Sequence, residues 1–134
     1  MIKKIWLFLA IVAFLYSCKR EEVSFVMLKQ YESLDSIRTG NEIYIVKHYS
    51  VVVNNYREDD KVTASIDSFA HVLMGSKPYK YVNLSIVFYK SSDVTNVEHL
   101  KENPRDIDRY SQDNDMIYVY EWSKGNLWRK EKIY

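Results

Sequence analysis

One cysteine, three histidines and a group of aspartates are the residues of this chain whose types could support chemistry. The histidines His48, His71 and His99 are far apart, and no two of them stand at the spacing of zinc ligands. His71 lies beside an apolar stripe and His48 lies in a run of strand-forming residues, so we interpret both as half-buried structural residues. We therefore expect no metal site and no cofactor.

Four aspartates stand close together as two Asp-x-Asp pairs, namely Asp106, Asp108, Asp113 and Asp115. Oxygen ligands of this kind are those that calcium prefers. The further oxygen ligands, the central glycine and the closing glutamate of an EF-hand loop are missing from this segment. The pattern therefore favours a solvated acidic loop over a calcium site.

Patterns typical of catalysis do not occur in the sequence. It contains no Gly-x-Ser-x-Gly nucleophile motif, and its three glycines are isolated, which excludes a glycine-rich phosphate loop. Nothing marks a pair of carboxylates as a general acid and base. We therefore predict that the protein is not an enzyme, and we assign no catalytic residue.

The charge balance argues against a nucleic-acid partner. The whole chain has 19 Lys+Arg and 18 Asp+Glu, and removal of Lys3 and Lys4 leaves 17 basic residues against the same 18 acidic ones. Nucleic-acid binders usually carry a basic stripe. Short basic groups such as Lys19-Arg20 are too small to form one.

Aromatic side chains cluster near the carboxyl end of the chain. Tyr118, Tyr120 and Trp122 alternate along a predicted strand, and Trp128 can pair across from them in a hairpin. Exposed aromatics on a sheet can bind sugars or a protein partner because they give contact area at a low cost in entropy. The alternative, which we favour, is that these side chains pack beneath a helix or a long loop.

The amino terminus has the order of a secretory signal. Lys3 and Lys4 precede an uncharged apolar run over residues 5–16, and the small residue Ser17 follows it. A membrane-spanning helix needs about 20 apolar residues, whereas this run has about 13 and is followed at once by charges. We therefore predict a signal peptide over residues 1–17.

The end of this signal, Leu15-Tyr16-Ser17-Cys18, resembles a lipobox. The resemblance implies that a peptidase cuts before Cys18, which becomes the diacylated amino terminus and anchors the protein in a membrane. Tyr16 departs from the small residue that is usual at its position. Because Cys18 is the only cysteine, no internal disulfide competes for it.

Residues Lys19-Arg20-Glu21-Glu22 resemble the surface-export signal of Bacteroidetes lipoproteins, with Arg20 where lysine is commoner. The segment 91–134 is similar to small Bacteroidetes lipoproteins, and this resemblance implies a cellular location but no mechanism. Asp35-Ser36-Ile37 resembles the O-glycosylation sequon of the same bacteria, which makes Ser36 a candidate site. These resemblances imply an outer-membrane lipid anchor, at the cell surface or on the periplasmic face.

Two segments of the first half have contrasting patterns. Residues 23–37 fit a short amphipathic helix weakly and a strand equally well. Residues 42–53 are rich in β-branched and aromatic residues and predict a long strand, which is either central or bulged at the Lys47-His48 step. A turn at Thr39-Gly40-Asn41 joins the two segments.

A helix over residues 60–74 is the clearest element, since its apolar residues recur on one face and Asp59 or Asp60 can cap it. Gly75 and Pro78 mark its end. The apolar residues of the following segment, 81–90, alternate as in a strand with one face on the core.

The remaining segments complete the predicted architecture. Residues 91–115 predict a long loop with at most a helical turn at 94–101. Residues 116–122 and 127–134 predict a hairpin around Gly125. We expect an α+β fold, with an antiparallel sheet of about four strands and the 60–74 helix packed on it. The domain would cover residues 25–134 behind a lipidated tether, 18–24.

These features predict a lipid-anchored cell-envelope protein whose most favoured role is that of a non-enzymatic accessory or binding subunit. Its expected partners are the membrane, through the lipid on Cys18, and a protein. A second hypothesis is an immunity or inhibitor protein whose acidic 102–115 segment plugs a basic active site. A third is a glycan-binding module that uses Tyr118, Tyr120, Trp122 and Trp128.

Overall fold

The computed structural model describes residues 21–75 and 83–133 as a mixed β-sheet with helices on both faces. The predicted signal peptide, the lipidation site Cys18 and the helix-end signal Pro78 lie outside the described residues. Among the described helices, none is long and apolar enough to cross a membrane.

The sheet has six strands and is built around the long strand β3. The strands are β1 (Ser24–Met27), β2 (Ser33–Thr39), β3 (Glu42–Asn54), β4 (Asn83–Lys90), β5 (Met116–Ser123) and β6 (Asn126–Lys132). β1 and β2 both pair with one edge of β3, and β4, β5 and β6 follow in order on its other side. The α+β class is confirmed, whereas the prediction of about four antiparallel strands is wrong, because β3 and β4 run parallel.

The parallel pair results from helix α1 (Asp60–Gly75), which connects β3 to β4. Asp59 caps this helix, since its carboxylate accepts a hydrogen bond of 2.8 Å from the amide of Val62. Its buried residues, Val62, Ile66, Ala70 and Leu73, lie four, four and three positions apart and pack in the core on the sheet. The predicted 60–74 helix is confirmed.

The segment predicted as a helix or a strand, 23–37, is extended. It forms β1, a 3₁₀ turn at Lys29–Tyr31 and β2, which pair antiparallel with β3. This pairing makes β3 a central strand, while its register passes without a break through Lys47 and His48. The helical interpretation and the predicted bulge are therefore wrong. The local sequence pattern fits a helix and a strand equally well, and pairing with β3 selects the strand.

The two faces of the sheet are covered differently. On the first, which we call the helix face, α1 covers a large apolar cluster that includes Val51, Ile86 and Phe88. On the second, the groove face, a smaller cluster joins Val52 and Tyr89 to side chains of the 91–115 segment.

The predicted long loop, 91–115, is largely helical. It contains α2 (Val97–Glu102), a π-helical turn (Ile107–Ser111) and a helical turn α3 (Gln112–Asn114). Leu100 and Ile107 are buried against the groove face. The predicted helical turn at 94–101 corresponds in part to α2, whereas the loop predicted for the rest of the segment is wrong, because further helical turns follow and the segment covers the end of the groove face at which β3 finishes.

Candidate binding groove

The aromatic cluster predicted near the carboxyl end is divided between the two faces. Tyr118, Tyr120 and Trp122 are buried on the helix face, which agrees with the favoured packing interpretation, so their rings do not form an exposed stacking surface. The hydroxyl of Tyr120 donates to the carboxylate of Asp67 in α1. Burial raises the pKa of Tyr120 well above its usual range, and the hydrogen bond to the Asp67 carboxylate adds to this effect.

Trp128 lies on the other face, beside a β-bulge. The turn pairs Ser123 with Asn126 and Trp122 with Leu127, so alternation along β6 places the next residue, Trp128, on the face opposite to Trp122, and the expected pairing of Trp128 with the aromatic set is wrong. Glu121 pairs with Arg129, so Trp128 is an extra residue in β6. The side chain of Trp128 is 65% exposed and lines a groove on this face.

This groove has a volume of about 520 Å³, within the range of small-molecule sites. It occupies the end of the groove face that the helical 91–115 segment leaves uncovered. Its lining combines an aromatic ring with polar groups, among them His48, Asn83, Ser85, Glu121, Ser123 and Trp128.

A row of polar side chains crosses five strands at this groove. Ser33 pairs with His48, His48 with Ser85, Ser85 with Glu121, and Glu121 with Arg129. Because directly paired residues project from the same face, the five side chains lie side by side on the groove face. Arg129 Nη1 lies 3.3 Å from the Glu121 carboxylate.

A second acidic group lies at the other end of the row. The Asp35 carboxylate accepts a hydrogen bond of 3.2 Å from Ser33 Oγ and lies 3.2 Å from His48 Nε2. Arg129 contacts both Glu121 and Glu131. The groove therefore presents hydrogen-bonding groups beside carboxylates, and the arginine of the row is shared between two of them.

Sequence reasoning placed His48 in a strand and did not identify Ser85 or Glu121. None of the three belongs to a motif, and only the pairing of three strands brings them together. The candidate glycosylation residue Ser36 lies exposed on β2, opposite Ile45, and its modification remains a prediction.

The four aspartates do not form one solvated surface. Asp115 is buried, and its carboxylate accepts hydrogen bonds from Ser92 (2.6 Å) and Thr95 (2.5 Å). Asp106 lies 2.6 Å from His99 Nε2. Only Asp108 and Asp113 remain exposed, so the predicted solvated acidic loop is correct for half of the set. Within residues 21–75 and 83–133, no three His, Cys, Asp or Glu side chains are grouped so as to hold a metal ion.

The hairpin of β2 and β3 carries a second feature, an exposed apolar arm comprising residues 34–45. Leu34, Ile37, Ile43 and Ile45 are all exposed, and Ile43 is 68% exposed. By their register Leu34, Ile43 and Ile45 lie on one side of the arm, and Ile37 lines the groove on the other. In the described part of the chain, β2 pairs with β3 alone.

Comparison of the chain with protein-family models, with curated proteins and with solved structures gives no match. The arm and the groove are therefore interpreted from their own chemistry.

Proposed function

We propose that this chain is a lipid-anchored cell-envelope protein that acts without catalysis, as an accessory or binding subunit that contacts a protein partner through the apolar arm. The observation that carries the proposal is the exposure of three aliphatic side chains, Leu34, Ile43 and Ile45, on one side of a short hairpin. Single exposed aliphatics are common, whereas a contiguous apolar patch is typical of an interaction site.

The edge of β2 adds to this support. An edge strand offers unpaired backbone groups, and proteins usually protect such edges with charge. The opposite edge follows that rule, since β6 carries Arg129, Lys130, Glu131 and Lys132. β2 instead presents Leu34 and Ile37 beside two charged residues, which suits a partner that adds a strand or an apolar surface.

The geometry of the proposed tether favours the same surface. Ser24, six residues after Cys18, pairs with Asn54 at one end of β3, and the arm lies at the other end. At about 3.3 Å per residue, β3 separates the two ends by about 40 Å. A protein anchored through Cys18 would thus hold the arm away from the membrane, where a partner can reach it.

Affinity purification of the tagged, lipidated protein from gently solubilised native membranes tests this proposal. We expect a stoichiometric protein to be recovered with the wild type and lost with the double variant Ile43→Lys, Ile45→Lys. Val72→Lys is the matched control, because Val72 is a 70% exposed aliphatic residue on α1. Equal recovery with the arm variant, or no stoichiometric protein with the wild type, would contradict the proposal.

The identity of the captured protein then separates the two protein-binding hypotheses. A membrane protein of the envelope indicates an accessory subunit, whereas a toxin or a lytic enzyme indicates an inhibitor.

The anchor has its own test. Cys18→Ser should release the protein from the membrane fraction, because two or three acyl chains provide stable anchoring that the rest of the chain does not replace. Retention of this variant in membranes would show that the lipid is not the anchor.

A further inference from the structure

We propose that the groove on the uncovered end of the sheet binds a neutral carbohydrate, with Trp128 as the stacking platform and His48, Ser85 and Glu121 as partners for its hydroxyl groups. This site lies on the side of the β2–β3 hairpin opposite to Leu34, Ile43 and Ile45, and it differs from the arm in chemistry. It is carried by the exposed Trp128 ring and by the polar row beside it.

The position of Trp128 is the first part of the argument. Alternation along β6 places its ring on the groove face, where it is largely exposed, and the adjacent bulge keeps Arg129 on that face as well. Bulges are enriched beside functional sites. An exposed indole offers a flat apolar surface, which matches the apolar face of a pyranose ring.

The polar row is the second part. Sugar hydroxyls both donate and accept hydrogen bonds, so they need both kinds of group within a short distance. The Glu121 carboxylate and the Ser85 hydroxyl can accept, and the Asn83 amide can donate, all from the same groove. Contacts of His48 with Asp35 and of Glu121 with Arg129 hold the two ends of the polar row in place.

The charged groups of the groove favour a neutral sugar over an anionic one. The Glu121 carboxylate lines the groove, and its partner Arg129 also contacts Glu131. An anionic sugar or a phosphate would therefore meet a carboxylate in the groove, with a second carboxylate, Asp35, beside His48. A neutral hexose or N-acetylhexosamine unit fits this arrangement better.

The test uses the full-length lipidated protein in a detergent without a sugar headgroup. Neutral tetrasaccharides of glucose, mannose and N-acetylglucosamine are titrated by calorimetry up to about 10 mM. We expect saturable binding of at least one of them, and weakening by about tenfold or more in Trp128→Ala. Tyr110→Ala is the matched control, because Tyr110 is a 48% exposed aromatic residue outside the groove.

Two outcomes would overturn the proposal: no saturable binding of any of these sugars, or equal binding by Trp128→Ala and the wild type. Glu121→Gln should weaken the same sugar, since the neutral amide is a poorer acceptor than the carboxylate. The arm variant Ile43→Lys, Ile45→Lys should bind sugar as the wild type does. A failure of the arm proposal is therefore distinguishable from a failure of this one.

Discussion

The two faces of the sheet use the same strands for different purposes. On the helix face, the ring of Phe69 in α1 packs in one cluster with the rings of Phe25, Phe88 and Tyr120 on the sheet, with centroid distances between neighbours of 4.5 to 6.4 Å. On the groove face, the helical 91–115 segment covers one end, and the other end presents a row of polar side chains. Stability is concentrated on the first face, and the second leaves a surface free for binding.

The tryptophans of one hairpin show the difference at the scale of single residues. Trp122 is 2% exposed and contacts the edge of His71 in α1, with ring centroids 5.9 Å apart. Trp128 is 65% exposed, because the hairpin pairs Trp122 with Leu127 and so turns the next residue, Trp128, to the groove face. One residue type therefore supports folding at one position and remains available for contact at the other.

The largest expected effect is on stability, and it tests this contrast between Trp122 and Trp128 directly. Trp122→Ala should lower the free energy of unfolding by about 3–5 kcal/mol, because it opens a cavity in the core. Trp128→Ala should change it by less than about 0.5 kcal/mol. Urea denaturation followed by far-ultraviolet circular dichroism measures both variants. Similar losses in the two variants would remove the distinction between the faces.

The next effect concerns the segment that covers the groove face. Asp115→Ala should destabilise the protein by about 2–3 kcal/mol, because the buried hydroxyl of Thr95 and that of Ser92 lose their acceptor. Asp113→Ala, the exposed control from the same run of aspartates, should be nearly neutral. Equal denaturation midpoints for the two variants would show that Asp115 does not hold the segment on the sheet.

A smaller effect depends on pH at the edge of the helix face. Burial raises the pKa of Asp67, but hydrogen bonds from Lys130 and Tyr120 lower it by more than burial raises it. The pKa of Asp67 therefore lies below its usual range. A depressed folded-state pKa contributes stability above the unfolded pKa of about 3.9, and this contribution is lost as the pH falls through the folded value.

Asp67→Asn should therefore cost about 1 kcal/mol at pH 7, and the difference from the wild type should shrink below about pH 4. Thermal or urea unfolding across pH 3–7 provides the measurement. A difference that stayed constant across this range would mean that the ionised carboxylate contributes nothing.

The smallest expected effect is on the arm. Ile43→Lys should change the free energy of unfolding by less than about 0.5 kcal/mol, because the side chain is largely exposed. Equilibrium denaturation beside Val72→Lys, the exposed control on α1, checks this expectation. A loss of several kcal/mol in the arm variant alone would place Ile43 in the folded core and not on a binding surface.

Sequence reasoning was most successful where local chemistry decides the structure. The apolar spacing and the Asp59 cap were sufficient to predict α1, and the β-branched runs were sufficient to predict β3 and β5. The strand–helix–strand order also indicates a parallel pair, because parallel strands need a long crossover. The prediction of an antiparallel sheet did not take this order of elements into account.

The candidate site could not be predicted in the same way. The polar row exists only through the register of four strand pairs, and the face on which Trp128 lies depends on the register of the hairpin, which pairs Trp122 with Leu127. Similarly, Leu100 and Ile107 are isolated apolar residues in a polar segment, and only their contact with Val52 and Tyr89 makes them core residues.

Site-specific photocrosslinking in living cells tests the central claim most directly. A photoreactive amino acid replaces Ile43 on the arm in one strain and Val72 on α1 in another, and both proteins keep Cys18. We predict one discrete crosslinked product of protein size from position 43 and none from position 72. A product from position 72 alone, or no product from position 43, would contradict an arm that serves as the partner-binding surface.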